Sequence, residues 1–410
     1  MTPVTGAAFV LATLLKVVIG FTLLLVAVVL STYVERKVAG FIQDRSGPNR
    51  VGPIGLFQVL ADGAKTLLKE EVAPAQANRG FFFLAPALAL IPATVLFAVI
   101  PFAAPLPTQW GLVEIIVADV PIGFLYVLGI ASLGVYGVVM AGWSSNSKYA
   151  FLGGLRGSAQ MISYEIALGM SLVPVLLLAG NVTLPELVSM QQPYADGPAT
   201  WGIWFLIPLL ISGFLFFVSS LAETNRLPFD LPEAEGELVG GYHTEYSSMK
   251  FGVFPLGEYA HLVTTACLVT VFFLGGWDIP IWTGDNIRVL ADGTVVGDPT
   301  WWKTLLTGAA FAVKMASIIL VFMWIRWTLP RFRYDQLMNL GWKVFLPLLM
   351  VYIILTAGLV FVLDDAGMAT GPVYGLVLGA VNLVLLIFLV FAVDRGLLIR
   401  GASTARRREI

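Results

Sequence analysis

The chain has 410 residues, 58% of them hydrophobic and 12% charged, with a net charge of −2 and a mean hydropathy of +0.86. A soluble domain carries about 25% charged residues, so an ordinary soluble enzyme is excluded, and the slightly acidic balance excludes a nucleic-acid partner. One cysteine, Cys267, and two histidines, His243 and His261, are too few for an iron–sulfur cluster or a structural zinc site, which each take about four ligands.

A bis-His haem on His243 and His261 is arithmetically open, but one residue lies in a polar loop and the other at a span entrance. Electrons for any redox chemistry therefore come from a partner or a diffusible carrier. No metal site is expected, and no redox cofactor bound by this chain alone.

A membrane-crossing helix needs about 20 mostly apolar residues. Nine stretches qualify: 8–31, 82–103, 122–142, 160–180, 203–221, 258–274, 304–326, 344–362 and 373–393. The expected fold is an all-α polytopic membrane protein of about nine transmembrane helices, forming a single membrane domain over residues 1–410. The first stretch does not read as a cleavable signal peptide, because it lacks a basic leader and its apolar run is too long. All Lys and Arg except Lys16, Arg288, Lys303 and Lys314 fall at span ends or in the segments 32–81, 143–159, 222–257 and 327–343 and the C-terminal tail. By the positive-inside rule these segments are cytoplasmic and the N-terminus is outside. Trp110, Trp201, Trp282, Trp301 and Trp302 suit an outer aromatic belt. No internal repeat is visible, which counts against an inverted-repeat transporter.

The first cytoplasmic segment places turn residues at Ser46–Asn49 and Gly52–Pro53. A helical pattern follows, with Leu56, Leu60, Ala64 and Leu67 on one side and Gln58, Asp62, Lys65 and Lys69 on another. This predicts an amphipathic helix lying in the membrane surface; the plainer reading is an interfacial connector. The second segment leads into the fourth span and carries Glu165 about 8 Å along it. An ionisable residue at that depth points to function, unless it is solvated or paired with Arg156.

The third segment holds seven acids, Glu223, Asp230, Glu233, Glu235, Glu237, Glu245 and Glu258, against Arg226 and Lys250. Phe229, Tyr242, Tyr246, Phe251, Phe254 and Tyr259 lie among them, so the loop can pack. Carboxylates clustered in a partly dry site repel one another, hold protons near neutral pH and so make a proton reservoir. Pro232 followed by acids also suits an ordinary helix start, which accounts for Glu233 and Glu235. The fourth segment follows Lys314, which lies near mid-span and must face protein, water or a counter-charge. Arg326, Arg331, Arg333 and Lys343 either balance the acids of the third segment or simply anchor the cytoplasmic side.

At these segments stand VERKVAGFIQDRSGPNRVGP (34–53), GWSSNSKYAFLGGLR (142–156) with AQMISYE (159–165), ETNRLPFDLPEAEGELVGGYHTEYSSMKFG (223–252) with GEY (257–259), and PRFRYDQLMNLGWK (330–343). With these strings the chain resembles the H subunits of bacterial NADH-quinone oxidoreductases, the family whose mitochondrial counterpart is the first mitochondrially encoded component of complex I. The resemblance implies a multi-pass component of the bacterial inner membrane at the junction of the membrane and peripheral arms. Its cytoplasmic face helps form a quinone chamber, while NADH, FMN and iron–sulfur clusters sit on partner subunits. It implies chamber and access roles for Glu35, Arg36, Arg45, Asp62, Arg226 and Phe229. It implies a proton relay through Glu165, Glu223, Asp230, Glu233, Glu235, Glu237 and Glu258, with no catalytic nucleophile. Lys314, Arg331 and Arg333 are candidate modulators. The family core covers about 8–362, and the stretch at about 372–410 reads as an added ninth helix and basic tail that contacts a neighbouring protein of the complex or anionic lipid. The alternatives are the homologous component of a membrane-bound hydrogenase-type or F420-linked complex, a stand-alone ion-coupled transporter, and a structural anchor.

Overall fold

The computed structural model describes residues 6–192, 201–232, 240–280, 282–289, 295–368 and 371–394. Within hydrocarbon every backbone N–H and C=O must find a partner in its own segment, so long apolar runs fold as helices. α1 (Ala7–Ile42) is the longest and continues past the expected span, carrying Glu35 and Arg36 in its last turns. A turn then returns the chain to α2 (Gln58–Leu68), the expected amphipathic helix. Its Leu60, Leu67 and Leu68 stay exposed, as an in-plane interfacial helix requires.

α3 (Arg79–Val95) leads to an outer loop with a short hairpin, β1 (Leu106–Thr108) paired with β2 (Gly111–Val113). α4 (Gly123–Ala131) and α5 (Leu133–Ser144) act together as one crossing. α6 (Lys148–Ala179) and α7 (Leu184–Gln191) precede the one expected span that is short. Where 203–221 is expected to cross, the helix α8 runs only from Leu210 to Glu223. Its 14 residues rise about 21 Å at 1.5 Å per residue, less than the roughly 30 Å of a hydrocarbon core. Pro208 stands just before its first residue and, having no N–H, withholds one of the bonds that would extend the helix backwards.

α9 (Ser248–Phe273) packs against α3, α10 (Trp301–Thr328) and α1, and is the most enclosed span. A second small hairpin, β3 (Arg288–Val289) with β4 (Val295–Val296), lies between α9 and α10. α11 (Tyr334–Asn339) passes through a π-helical turn at Leu340–Phe345 into α12 (Leu346–Asp365), and α13 (Pro372–Asp394) follows. Among the described residues eight helical rods are thus long and apolar enough to cross a membrane, with α8 as a shorter ninth.

α13 compensates for the break before α8. Asn382 donates Nδ2–H to the Pro208 carbonyl at 2.7 Å and accepts at Oδ1 from Tyr352 of α12 at 2.7 Å. Gly379 permits the approach, since a Cβ there would stand 2.9 Å from the Ile207 carbonyl oxygen.

Candidate functional site

Two polar nests lie inside the helix bundle, and α9 contributes to both. The first centres on Glu35, which is 3% exposed. Its Oε2 accepts from the Arg226 guanidinium at 2.7 Å and the Tyr259 hydroxyl at 2.8 Å, and its Oε1 accepts from Arg326 at 2.5 Å. The Arg226 guanidinium also lies 4.1 Å from the centre of the Tyr259 ring, a cation–π contact. Burial opposes the Arg226 charge, but Glu35, joined by Tyr259 and Glu258, more than offsets it, so the guanidinium pKa lies above its ordinary value. Arg226 Nε and one terminal nitrogen are buried and have no hydrogen-bond partner among the described residues.

The second nest is a cavity of about 60 Å³ lined by Glu223, Thr224, Asn225, Glu258 and His261 against apolar residues of α3, α4 and α5. Glu223 ends α8, and His261 Nε2 stands 3.6 Å from Glu223 Oε1. Glu165 on α6 is close enough to Glu223 for the two carboxylates to act on each other. The start of the acidic loop is held by α6. Gln160 donates Nε2–H to the Ala222 and Phe229 carbonyls at 2.8 and 2.7 Å and to Asn225 Oδ1 at 3.3 Å. On the same helix Gly153 allows the loop to close in, because a Cβ there would meet the Tyr242 backbone nitrogen at 2.7 Å.

The other expected site residues fall into three groups. Asp230 pairs with Arg331 at 3.2 Å, so the fourth segment does meet the third there. Arg326 goes instead to Glu35, and Arg333 caps α11 by donating its backbone N–H to Gln336 at 3.1 Å. Phe229 is buried between Tyr164 and Phe332, with ring centres 5.5 Å away from each. At the membrane surface Arg36 pairs with Asp62 of α2, and Arg45 lies exposed beside Gln43. Glu165 forms no ion pair with Arg156 among the described residues. Glu233, Glu235 and Glu237 lie outside the described residues.

Lys314, midway along α10, reaches the loop that follows α9, at the far end of that helix from the acidic loop. Its ammonium donates to the carbonyls of Leu274, Gly276 and Asp278 at 2.6, 3.1 and 2.6 Å and lies 4.2 Å from the Trp204 ring centre. Burial, joined by the nearby Asp285, pushes the Asp278 carboxyl up to about 6.

Tyr259, Asp278 and Asp285 were not singled out as site residues by sequence reasoning, and His261 only as a haem ligand. A signal existed for His261, which follows Glu258 by three residues on one helix. None existed for the meeting of Tyr259 with Glu35, which are 224 residues apart. Among the described residues no three His, Cys, Asp or Glu side chains stand where they could share a metal ion.

The profile of the NADH dehydrogenase family matches residues 15–357. The chain is 48% identical over 341 residues to the H subunit of the NADH-quinone oxidoreductase of Rhodospirillum centenum, covering 83% of this chain and 91% of that protein. It is 47% identical to the H subunit of Rhodospirillum rubrum, covering 82% and 90% respectively. It is 46% identical to an H subunit of Geobacter metallireducens, covering 87% and 98%. The family match ends before α13. With both nests inside the matched region, the chain belongs to the family of NADH-quinone oxidoreductase H subunits, membrane components of complex I.

Proposed function

We propose that this chain is the quinone-chamber-forming membrane subunit of a proton-pumping NADH:quinone oxidoreductase. Quinone is reduced by a partner's iron–sulfur cluster, NADH and FMN are held by further partner subunits, and the acids of this chain pass the event on as a change of protonation. The observation that carries the reading is the electrical contact of the two nests. Arg226 follows Glu223 by three residues, and Glu258 acts on the Arg226 charge.

Reduction of a quinone creates or quenches negative charge in a space shielded from water. At about 4 Å and an effective dielectric of about 20, one charge shifts a neighbouring carboxyl by about 4 kcal/mol. That is roughly a thousandfold in its proton equilibrium, ample to drive a proton from one carboxyl to the next. Glu165, Glu223, Asp230, Glu233, Glu235, Glu237 and Glu258 form the relay, with Arg331 holding Asp230. Glu35, Arg36, Arg45, Asp62, Arg226 and Phe229 build the chamber and its access, and α2 borders the quinone route from the lipid. Lys314 steadies the opposite end of the bundle. The basic segments support an orientation with the acidic loop and the C-terminal tail in the cytoplasm and the N-terminus outside, in a bacterial inner membrane.

Glu165→Gln and Glu223→Gln, made in the assembled complex, test the relay. Quinone reductase activity and proton translocation are measured separately. Both substitutions are expected to lower translocation strongly, and near wild-type values of both activities in both variants overturn the relay.

A further inference from the structure

We propose that His261 carries a proton between Glu223 and Glu258 across the small cavity they share, making an imidazole the connecting member of the relay. This rests on the relay reading above and names a carrier that the reading lacks.

Geometry supports it first. His261 Nε2 and Glu223 Oε1 are 3.6 Å apart, beyond hydrogen-bond length but closed by a small side-chain rotation. Glu258 lies three residues before His261 on α9, so both side chains leave the helix on one face. All three line the same cavity of about 60 Å³, room for a few water molecules with polar partners within reach. The titratable side chains lining it, among the described residues, are Glu223, Glu258, His261 and Tyr242. The α3, α4 and α5 walls contribute Ala89, Pro92, Ala131, Gly134 and Val138, none of which can carry a proton.

Chemistry supports it second. A proton crossing the cavity is carried by a group that can both take it up and give it away, and His261 lines that cavity together with Glu223 and Glu258. Imidazole is the side chain that ordinarily gains and loses a proton near neutral pH. In the step proposed, the O–H bond of protonated Glu223 breaks and an N–H bond forms at His261 Nε2, leaving a carboxylate and an imidazolium. The imidazolium then releases one proton through cavity water, and the Glu258 carboxylate takes one up. One proton has moved, His261 is neutral again, and Glu223 is reloaded from Glu165 or the acidic loop.

The test uses the assembled complex in proteoliposomes carrying His261→Asn or His261→Ala, with Glu223→Gln in parallel. Proton translocation in His261→Asn is expected to fall by about tenfold or more, within the range of a lost acid–base group. In His261→Ala, added imidazole is expected to restore it, while an isosteric azole too weakly basic to hold a proton does not. A merely structural histidine would give no such dependence on basicity. If His261→Ala does not assemble, His261→Asn and His261→Gln decide the matter, since both keep a polar side chain in the space. Wild-type translocation in His261→Asn, or equal effects of the two azoles, overturns the proposal. If Glu223→Gln is impaired while His261→Asn is not, the relay stands and only the histidine's part falls. If both translocate normally, the relay falls with it.

Discussion

Glu35 of α1 and Arg226, in the loop after α8, meet at 2.7 Å although 191 residues separate them in the chain. Both are almost completely buried. Tyr259 of α9 and Arg326 of α10 close on the same carboxylate, so one side chain joins four segments. A buried pair of this kind is a poor source of net stability, but removing one member leaves an uncompensated charge in a dry place.

Glu35→Ala is therefore expected to destabilise the membrane arm by about 3–5 kcal/mol, seen as poor recovery of assembled complex and faster thermal inactivation. Arg326→Met should be milder, because that side chain is 23% exposed against 4% for Arg226. Equal stability of Glu35→Ala and wild type would show that the network holds nothing together.

The Arg36–Asp62 pair behaves differently. Its side chains are 49% and 27% exposed, and pairs open to solvent contribute about 0–1 kcal/mol. Arg36→Glu should leave assembly and thermal stability nearly unchanged, yet raise the KM for a long-tailed quinone, since α2 loses its tie to α1. A bulky change at Leu60, exposed on α2, should act in the same direction. Unaltered kinetics with native quinone would remove α2 from the route.

A pH effect follows from Asp278, in the loop after α9. Burial raises its pKa to about 6, so the folded protein keeps a proton that the unfolded chain has already released. The stability this proton contributes is full below the ordinary carboxylate value of 3.8 and is lost as pH rises through about 6. Asp278→Asn, neutral at every pH, should lengthen the inactivation half-life of the complex at pH 7.5 relative to wild type. At pH 4.5 the two should nearly coincide. Parallel curves across that range would refute it.

Asn382 bridges Tyr352 and the Pro208 carbonyl from a helix outside the family match. Asn382→Leu leaves that carbonyl without its donor in the bundle interior, at a cost of about 1–3 kcal/mol. Limited proteolysis of detergent-solubilised complex should then cleave faster within 201–209, and an unchanged pattern would leave α13 as a bystander.

The spans were legible in the sequence because hydrophobic length alone decides whether a segment crosses a membrane. α8 was misjudged because 203–221 is apolar throughout, and the weight of Pro208 shows only when Asn382 and Ile207 are seen beside it. The helical spacing of Leu56, Leu60, Ala64 and Leu67 after Pro53 announced α2. The pairing of Arg331 with Asp230 was open to a charge-balance argument, whereas the choice of Glu35 by Arg326 was not, since it depends on how α1 and α10 lie side by side. Lys314 was recognisable as a buried cation. Its carbonyl cage was hidden, because backbone acceptors leave no mark in a sequence.

Glu258 and Tyr259 are consecutive, and on a helix of 3.6 residues per turn their side chains leave the axis about 100° apart. One enters the cavity beside Glu223 and the other grips Glu35. α9 is walled in by α1, α3 and α10, and it carries both side chains on one rod. A roll of that rod would move Tyr259 and Glu258 together, tying the spacing of the carboxyls to the seat of the arginine.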